Sequence, residues 1–212
     1  QTRDPDVPYF SFSVSYQGHS PYSDQELTWG KEYLPRQGLS EACYYTVNNY
    51  LGGVADTLEA VDALVSALRD DPEPVVLLLF GDHKPALGSG NCYYDELGID
   101  MDRDTAAGFE NYYATKYLIY ANPAAERALG RKLQGEGPTV GPYFLMNVLF
   151  DACGLDGPAF LKLSDDLMEQ APVVHSTRVY LKDGALTDAF PGDAGTLQNF
   201  RMVQYYLRRK AY

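Results

Sequence analysis

One stretch decides the fold of this chain: Val75-Val76-Leu77-Leu78-Leu79-Phe80-Gly81-Asp82-His83-Lys84-Pro85. Its six consecutive apolar residues, between Pro74 and Gly81, are too few for a typical helix. Their lack of polar alternation predicts a strand covered on both faces, as in a parallel sheet. Gly81 lets the backbone turn, so Asp82 and His83 can converge on one point. Because ligands of open α/β sheets collect at the carboxyl ends of strands, the pair is a candidate metal site.

The composition is that of one globular domain or part of one. The chain has 212 residues, of which 45% are hydrophobic and 22% charged, and no linker-like tract divides it. A formal net charge of −12 argues against nucleic acid as a partner, because nucleic acid binds clustered Lys and Arg. The sequence shows no signal peptide and begins at Gln1 without a Met, so we expect a fragment.

The segments before this stretch predict a βαβ unit. Residues 7–16 (VPYFSFSVSY) alternate apolar residues with serines and are expected to form a strand. Residues 40–70 carry apolar residues spaced alternately by four and three, which predicts a long helix with Ser40 as N-cap. Gly52-Gly53 permits a kink or a close approach in this helix. Strands joined by such a crossover run parallel, so the predicted fold class is α/β, with a mainly parallel sheet flanked by helices.

The rest of the chain predicts shorter elements. They are a third strand over residues 116–121, helices over residues 139–152, 158–170 and 196–209, and a small β-hairpin within residues 177–187 near the C-terminus. Gly154 is expected to close the first of these helices, and Thr196 to cap the last. Asp183-Gly184 is a favourable hairpin turn. Residues 85–108 are polar and are predicted to be irregular.

His19 and Lys84 are weaker candidates than the Asp82-His83 pair. His19 follows the predicted first strand, so in a parallel sheet it would lie at the same edge as the pair. Lys84 could meet a phosphate as a point charge, and a solvated lysine is the ordinary alternative. For His83 the alternative is a ring satisfied by backbone carbonyls. Two protein donors do not complete a metal site, so further ligands must come from elsewhere.

The motifs of the chain occur in the order PYFSFSVSYQGHSPY, YLGGVADTLEAVDALVSAL, VVLLLFGDHKPALG, KYLIYANP and GPYFLMNVLFDACGL. In this order they resemble the carboxyl-terminal part of the sulfatase-like phosphoglycerol transferases of the lipoteichoic acid synthase type, within the alkaline phosphatase superfamily. The resemblance covers most of the chain and implies a single partial domain over residues 1–212. The chain has no GxSxG, GxxxxGK[ST], GxGxxG or HExxH motif, which removes the commonest hydrolase, kinase and dehydrogenase interpretations.

This resemblance implies a metal-dependent transferase whose catalytic domain lies on the outer face of the bacterial cell membrane. In such enzymes a divalent ion activates a threonine that attacks a phosphatidylglycerol-like lipid, and the phosphoglycerol group then passes to an acceptor. Manganese is the expected metal, with zinc and magnesium as alternatives. By match to the motif, Asp82 and His83 are expected to be metal ligands, His19 to contact the phosphoglycerol group, and Lys84 to be a weaker substrate contact.

Departures from the family pattern predict an incomplete site. The family's threonine nucleophile and a glutamate ligand precede this segment, and nothing before Pro8 could supply them, so this chain should hold no catalytic nucleophile and be inactive alone. The expected partners are the missing amino-terminal half of the same protein and a phosphoglycerol-bearing lipid or polymer, with self-association through uncovered apolar surface. The alternatives are a sulfatase or phosphodiesterase of the same superfamily, or a noncatalytic cell-wall-binding module.

Overall fold

The computed structural model of the chain describes residues 7–210, which divide into two compact units. Unit 1 contains residues 7–64 and 85–101, and unit 2 contains residues 65–84 and 102–210. The α-helices of the described residues are α1 (Glu41–Arg69), α2 (Tyr93–Glu96), α3 (Ala106–Tyr113), α4 (Pro123–Leu129), α5 (Leu145–Cys153), α6 (Ala159–Gln170) and α7 (Ala194–Lys210). The strands are β1 (Val76–Phe80), β2 (Tyr117–Ala121), β3 (Val173–Val174), β4 (Tyr180–Lys182) and β5 (Ala185–Thr187).

Helix α1 confirms the predicted long helix to within one residue at each end. The Ser40 hydroxyl accepts a hydrogen bond from the Cys43 N–H at 3.2 Å, as expected of an N-cap. The Glu96 carboxylate in turn accepts hydrogen bonds from the N–H and the hydroxyl of Ser40, at 2.8 and 2.9 Å. Within residues 7–210, no helix is both long enough and apolar enough to cross a membrane.

The glycine pair of α1 allows a close approach within unit 1. A Cβ added to Gly53 would lie 2.9 Å from the Gly18 Cα, and one added to Gly52 would collide with the Trp29 ring. Two buried asparagines of α1 hold the same irregular segment: Asn48 Oδ1 accepts from the N–H groups of residues 33 and 34, and Asn49 Oδ1 from that of residue 28. The irregular segment over residues 28–34 is therefore hydrogen-bonded to α1 through its backbone N–H groups.

The predicted mainly parallel sheet is wrong. Strand β1 pairs with β2 in antiparallel fashion, with Leu78 opposite Ile119, and β3, β4 and β5 form a second antiparallel sheet. The predicted strand over residues 7–16 is also wrong, because this segment is irregular and exposed. A short apolar run indicates that a segment suits a sheet, but the direction of pairing depends on which segment returns beside it, and here residues 117–121 return antiparallel.

The core of unit 2 forms where α6 packs against α5 and α7, beside the second sheet. Its buried members are aromatic and aliphatic: Phe144, Leu167, Tyr180, Leu197 and Phe200. Strand β1 is less covered, since Leu79 and Phe80 remain 36% and 37% exposed. The expectation that β1 is covered on both faces is therefore wrong within the described part of the chain.

Several local signals of unit 2 are confirmed. Gly154 closes α5 with a left-handed φ of 62°, and helix α6 matches its predicted extent. Asp183 and Gly184 join β4 to β5 with φ values of 49° and 78°, both in the left-handed region that this turn requires. One capping prediction is wrong: Asp193 Oδ2 accepts from the Thr196 N–H at 2.8 Å, so Asp193 caps α7.

Candidate functional site

Gly81 ends β1 and begins the turn that carries the candidate ligands. Its N–H donates to the Lys116 carbonyl at 3.1 Å, and its own carbonyl accepts from the Thr115 hydroxyl at 2.6 Å. A Cβ at position 81 would lie 3.3 Å from the Thr115 Cβ, so the two strand ends are closely packed there. The turn is therefore held by the end of the β1–β2 ladder.

Asp82 and His83 lie together directly after this glycine. The Asp82 Oδ1 accepts from the His83 N–H at 2.9 Å, which orients the carboxylate. The His83 Nδ1 lies 2.8 Å from the Lys84 carbonyl, so we assign the ring proton to Nδ1. In that tautomer Nε2 carries the lone pair, and this nitrogen lies 3.6 Å from the Asp82 Oδ2. This is the nitrogen that a metal would bind.

The separation of these two donors fits a shared divalent ion. Two donors each about 2.1 Å from a tetrahedrally coordinated ion lie about 3.4 Å apart, close to the 3.6 Å between Asp82 Oδ2 and His83 Nε2. Both side chains are accessible, with 77% of Asp82 and 60% of His83 exposed. A carboxylate with an imidazole suits manganese or zinc. Among residues 7–210, no three His, Cys, Asp or Glu side chains converge on one point.

His19 lies in unit 1, in a turn after the exposed segment 7–16. Its Nδ1 is 2.6 Å from the Ser20 carbonyl, and its ring stacks on Tyr16 with centroids 4.8 Å apart. The argument that placed His19 at the edge of Asp82 and His83 required a parallel strand over residues 7–16, which the structure lacks. The role of His19 as a phosphoglycerol contact therefore stays a prediction that rests on the family resemblance.

Lys84 contributes to the site through its backbone, because its carbonyl oxygen faces the His83 ring. The residue is half-buried. Its contact with a substrate stays a prediction. Nδ1 of His83 lies against a backbone carbonyl, as expected if the ring is satisfied by backbone carbonyls. Nε2 instead lies near the Asp82 carboxylate.

Asn122, which sequence reasoning missed, anchors the strands that carry the site. Its side chain is fully buried, and its Oδ1 accepts from the N–H groups of Val75 and Ala125, at 3.0 and 2.8 Å. Its Nδ2 lies within hydrogen-bonding distance of three carbonyls, that of Leu68 in the last turn of α1 and those of Asp71 and Glu73 between α1 and β1. The signal for this role is Asn122-Pro123, an N-cap residue followed by a proline at the first position of α4.

His175 also lies in a structured environment. Its ring packs against Tyr113 and Phe109 of α3, with centroids 4.2 and 5.2 Å away. The Nδ1 lies 2.8 Å from the Thr177 hydroxyl. Burial lowers the pKa of His175 from its usual value, because a partly desolvated ring resists protonation. These contacts describe a neutral histidine that joins α3 to the segment after β3.

Comparison with known proteins identifies one distant relative. Over 208 residues the chain is 23% identical to a protein of Rhizobium meliloti (strain 1021) named "Putative cyclic beta-1,2-glucan modification protein". The match covers 93% of this chain and 30% of that protein, so this chain spans less than a third of the relative's length. No protein-family model and no solved structure matches the chain. The chain thus has a distant relative whose name describes the modification of a cyclic glucan.

Proposed function

We propose that this chain is the metal-binding carboxyl-terminal part of a phosphoglycerol transferase that modifies a glucan at the outer face of the bacterial cell membrane. The observation that carries the proposal is the pair of donors after β1, with Asp82 Oδ2 and His83 Nε2 3.6 Å apart. The order of the motifs around GDHKP supports the reaction class. The name of the distant relative supports a glucan as the acceptor.

In this proposal Asp82 and His83 would hold a divalent ion, with manganese favoured. A bound ion would supply positive charge that stabilises the phosphoryl oxygens. The His83 N–H fixes the Asp82 carboxylate, and the Lys84 carbonyl keeps the ring proton on Nδ1, so both donors are oriented before the ion binds. The phosphoglycerol group leaves its lipid and becomes esterified to a glucan hydroxyl, and the lipid alkoxide takes up the proton that this hydroxyl loses.

The test is Mn²⁺ binding and phosphoglycerol transfer by the intact protein that contains this chain. We expect Asp82→Ala to bind Mn²⁺ about tenfold more weakly or worse. Removing a residue that only orients a metal ligand typically weakens metal binding by about ten- to a hundredfold, and removing a ligand itself should weaken it by no less. Transfer from a phosphatidylglycerol-like lipid to cyclic β-1,2-glucan, followed by mass spectrometry, should fall with it. Asp62→Ala is the matched control, since Asp62 is an exposed carboxylate on α1.

The outcomes separate the proposed enzyme from its alternatives. A glucan that gains glycerol phosphate supports a transferase, whereas free glycerol phosphate beside an unchanged glucan indicates a hydrolase of the same superfamily. If the intact protein and Asp82→Ala bind Mn²⁺ equally, the metal-dependent proposal fails. A noncatalytic wall-binding module would then be the better description.

A further inference from the structure

An open cleft of about 400 Å³ lies in unit 2. Its walls are β2, the loop over residues 131–138 and one side of α5. The volume lies within the range of about 300–1,000 Å³ that is usual for small-molecule sites. The cleft is formed without any of the residues Asp82, His83 or Lys84.

One wall of the cleft carries backbone hydrogen-bonding groups. The Asn122 N–H donates to the Val75 carbonyl, and the Gly81 N–H donates to the Lys116 carbonyl. In an antiparallel pair the bonded positions alternate, so the even-numbered residues of β2 bond to β1. The N–H and C=O groups of Tyr117 and Ile119 therefore point to the outer edge of β2, where the cleft lies.

The loop that forms the opposite wall is held at both ends. The Tyr117 hydroxyl donates to the Pro138 carbonyl at 3.0 Å, and a Cβ at Gly137 would collide with that hydroxyl. At the other end the Arg131 guanidinium donates to the carbonyls of residues 151 and 152, at the C-terminal end of α5. A loop tied at both ends keeps the cleft open without a ligand, which reduces the ordering cost of binding.

The side chains of the cleft suit a neutral ligand with many hydroxyl groups. The lining includes two cations, Arg131 and Lys132, and two carboxylates, Glu136 and Asp151, so their formal charges cancel. Gln134 adds an amide that can both donate and accept. Exposed apolar surface of residue 118 lies beside these groups and can contact the C–H face of a sugar ring. An anion would meet the carboxylates, and a purely apolar ligand would leave the polar groups without partners.

We infer that this cleft binds a segment of the glucan acceptor, at a subsite that is separate from the residues proposed to hold the metal. The inference rests on the proposed function, since the relative's name is what points to a glucan. The outer edge lining the cleft spans only residues 117–119, which is shorter than the strand of five or six residues that an added peptide commonly forms. A sugar is therefore favoured over a peptide.

The inference is tested by titrating the intact protein with cyclic β-1,2-glucan. We expect the double variant Gln134→Ala/Glu136→Ala to bind the glucan about tenfold more weakly, because two hydrogen bonds are lost. Both side chains are exposed, so the fold should tolerate the change. The double variant Gln198→Ala/Glu110→Ala removes the same residue types outside the cleft and should leave binding unchanged.

Further measurements make the result decisive. The cleft variant should bind Mn²⁺ normally, and Asp82→Ala should bind glucan normally. If the subsite inference is wrong, glucan binding by the cleft variant is unchanged; if the metal proposal is wrong, Mn²⁺ binding by Asp82→Ala is unchanged. Glu136→Ala alone should weaken glucan binding. Unchanged glucan binding by the cleft variant overturns the inference. An anion site would be identified instead if the unchanged protein binds no glucan and Glu136→Ala binds inorganic phosphate more tightly than the unchanged protein does.

Discussion

Two regions of unit 2 are stabilised in different ways. Around α6 the core is closed by apolar side chains, and Phe144 and Leu167 are 0% exposed. Within residues 7–210 the β1–β2 sheet has two strands, and Leu118 on β2 is 49% exposed. A two-stranded sheet has little stability of its own. The segment that precedes β1 and the start of α4, which follows β2, are instead hydrogen-bonded to the buried Asn122 side chain.

This difference shows where the candidate chemistry is placed. The helical region packs apolar surface and carries none of the predicted metal ligands, whereas β1 carries Asp82 and His83 at its end. Accessible donors require a strand end that is open to solvent or to another chain segment. The partial exposure of β1 therefore goes together with an accessible candidate site at its end. Hydrogen bonds of Asn122, and not apolar burial, stabilise this part of the chain.

The largest expected effect is the loss of the helical core. We expect Leu167→Ala to lower the free energy of unfolding by about 2–5 kcal/mol, because a fully buried leucine leaves a cavity. The matched substitution Leu118→Ala should cost less than about 1 kcal/mol, since half of that side chain is already exposed. Urea unfolding followed by circular dichroism measures both. Equal losses would show that the sheet is as closely packed as the core.

The second effect concerns the hydrogen bonds of the sheet region. Asn122→Ala should lower the free energy of unfolding by about 2–3 kcal/mol, because α4 loses its cap and three carbonyls lose their donor. Amide exchange at Val75 and Ala125 should become faster. Asn199→Ala is the control, because Asn199 is an exposed asparagine on α7. If both variants are equally stable, Asn122 does not anchor the strands.

The smallest expected effect is a pH dependence in the α3 region, outside the two regions compared. Because burial lowers the pKa of His175 in the folded chain, the unfolded chain binds the proton more readily. The contribution of the neutral ring to the free energy of unfolding is complete at a pH above the unfolded-state pKa of about 6.5. It is lost as the pH falls from that value towards the lower pKa of the folded chain. The urea midpoint should therefore fall less between pH 7 and pH 5 in His175→Gln than in the unchanged chain.

The control for this prediction is Gln198→Ala, which removes an exposed side chain of α7 that carries no ionisable group. This variant should keep the pH dependence of the unchanged chain. A midpoint that responds to pH equally in His175→Gln and in the unchanged chain would contradict the assignment of a half-buried, neutral ring.

Local signals account for the elements that were predictable. The spacing of apolar residues identified α1, Gly154 marked the end of α5, and Asp183-Gly184 marked the β4–β5 turn. The caps of α3 and α4 were missed because Thr105 and Asn122 precede short helices whose apolar periodicity is weak. The order of Gly81, Asp82 and His83 after an apolar strand was enough to nominate the ligand pair, and the structure places the two side chains together.

The amino-acid sequence by itself determined the helices α1, α6 and α7, the turn residues and the Asp82-His83 pair, because these depend on contacts between residues near one another in the chain. Only the tertiary structure decided that β1 pairs antiparallel with β2, that residues 7–16 form no strand, and that an edge of β2 lines a cleft. Sheet pairing and clefts depend on segments far apart in sequence. Their free energy comes from the packing and hydrogen bonds formed when those segments meet, and no local pattern records which partner returns.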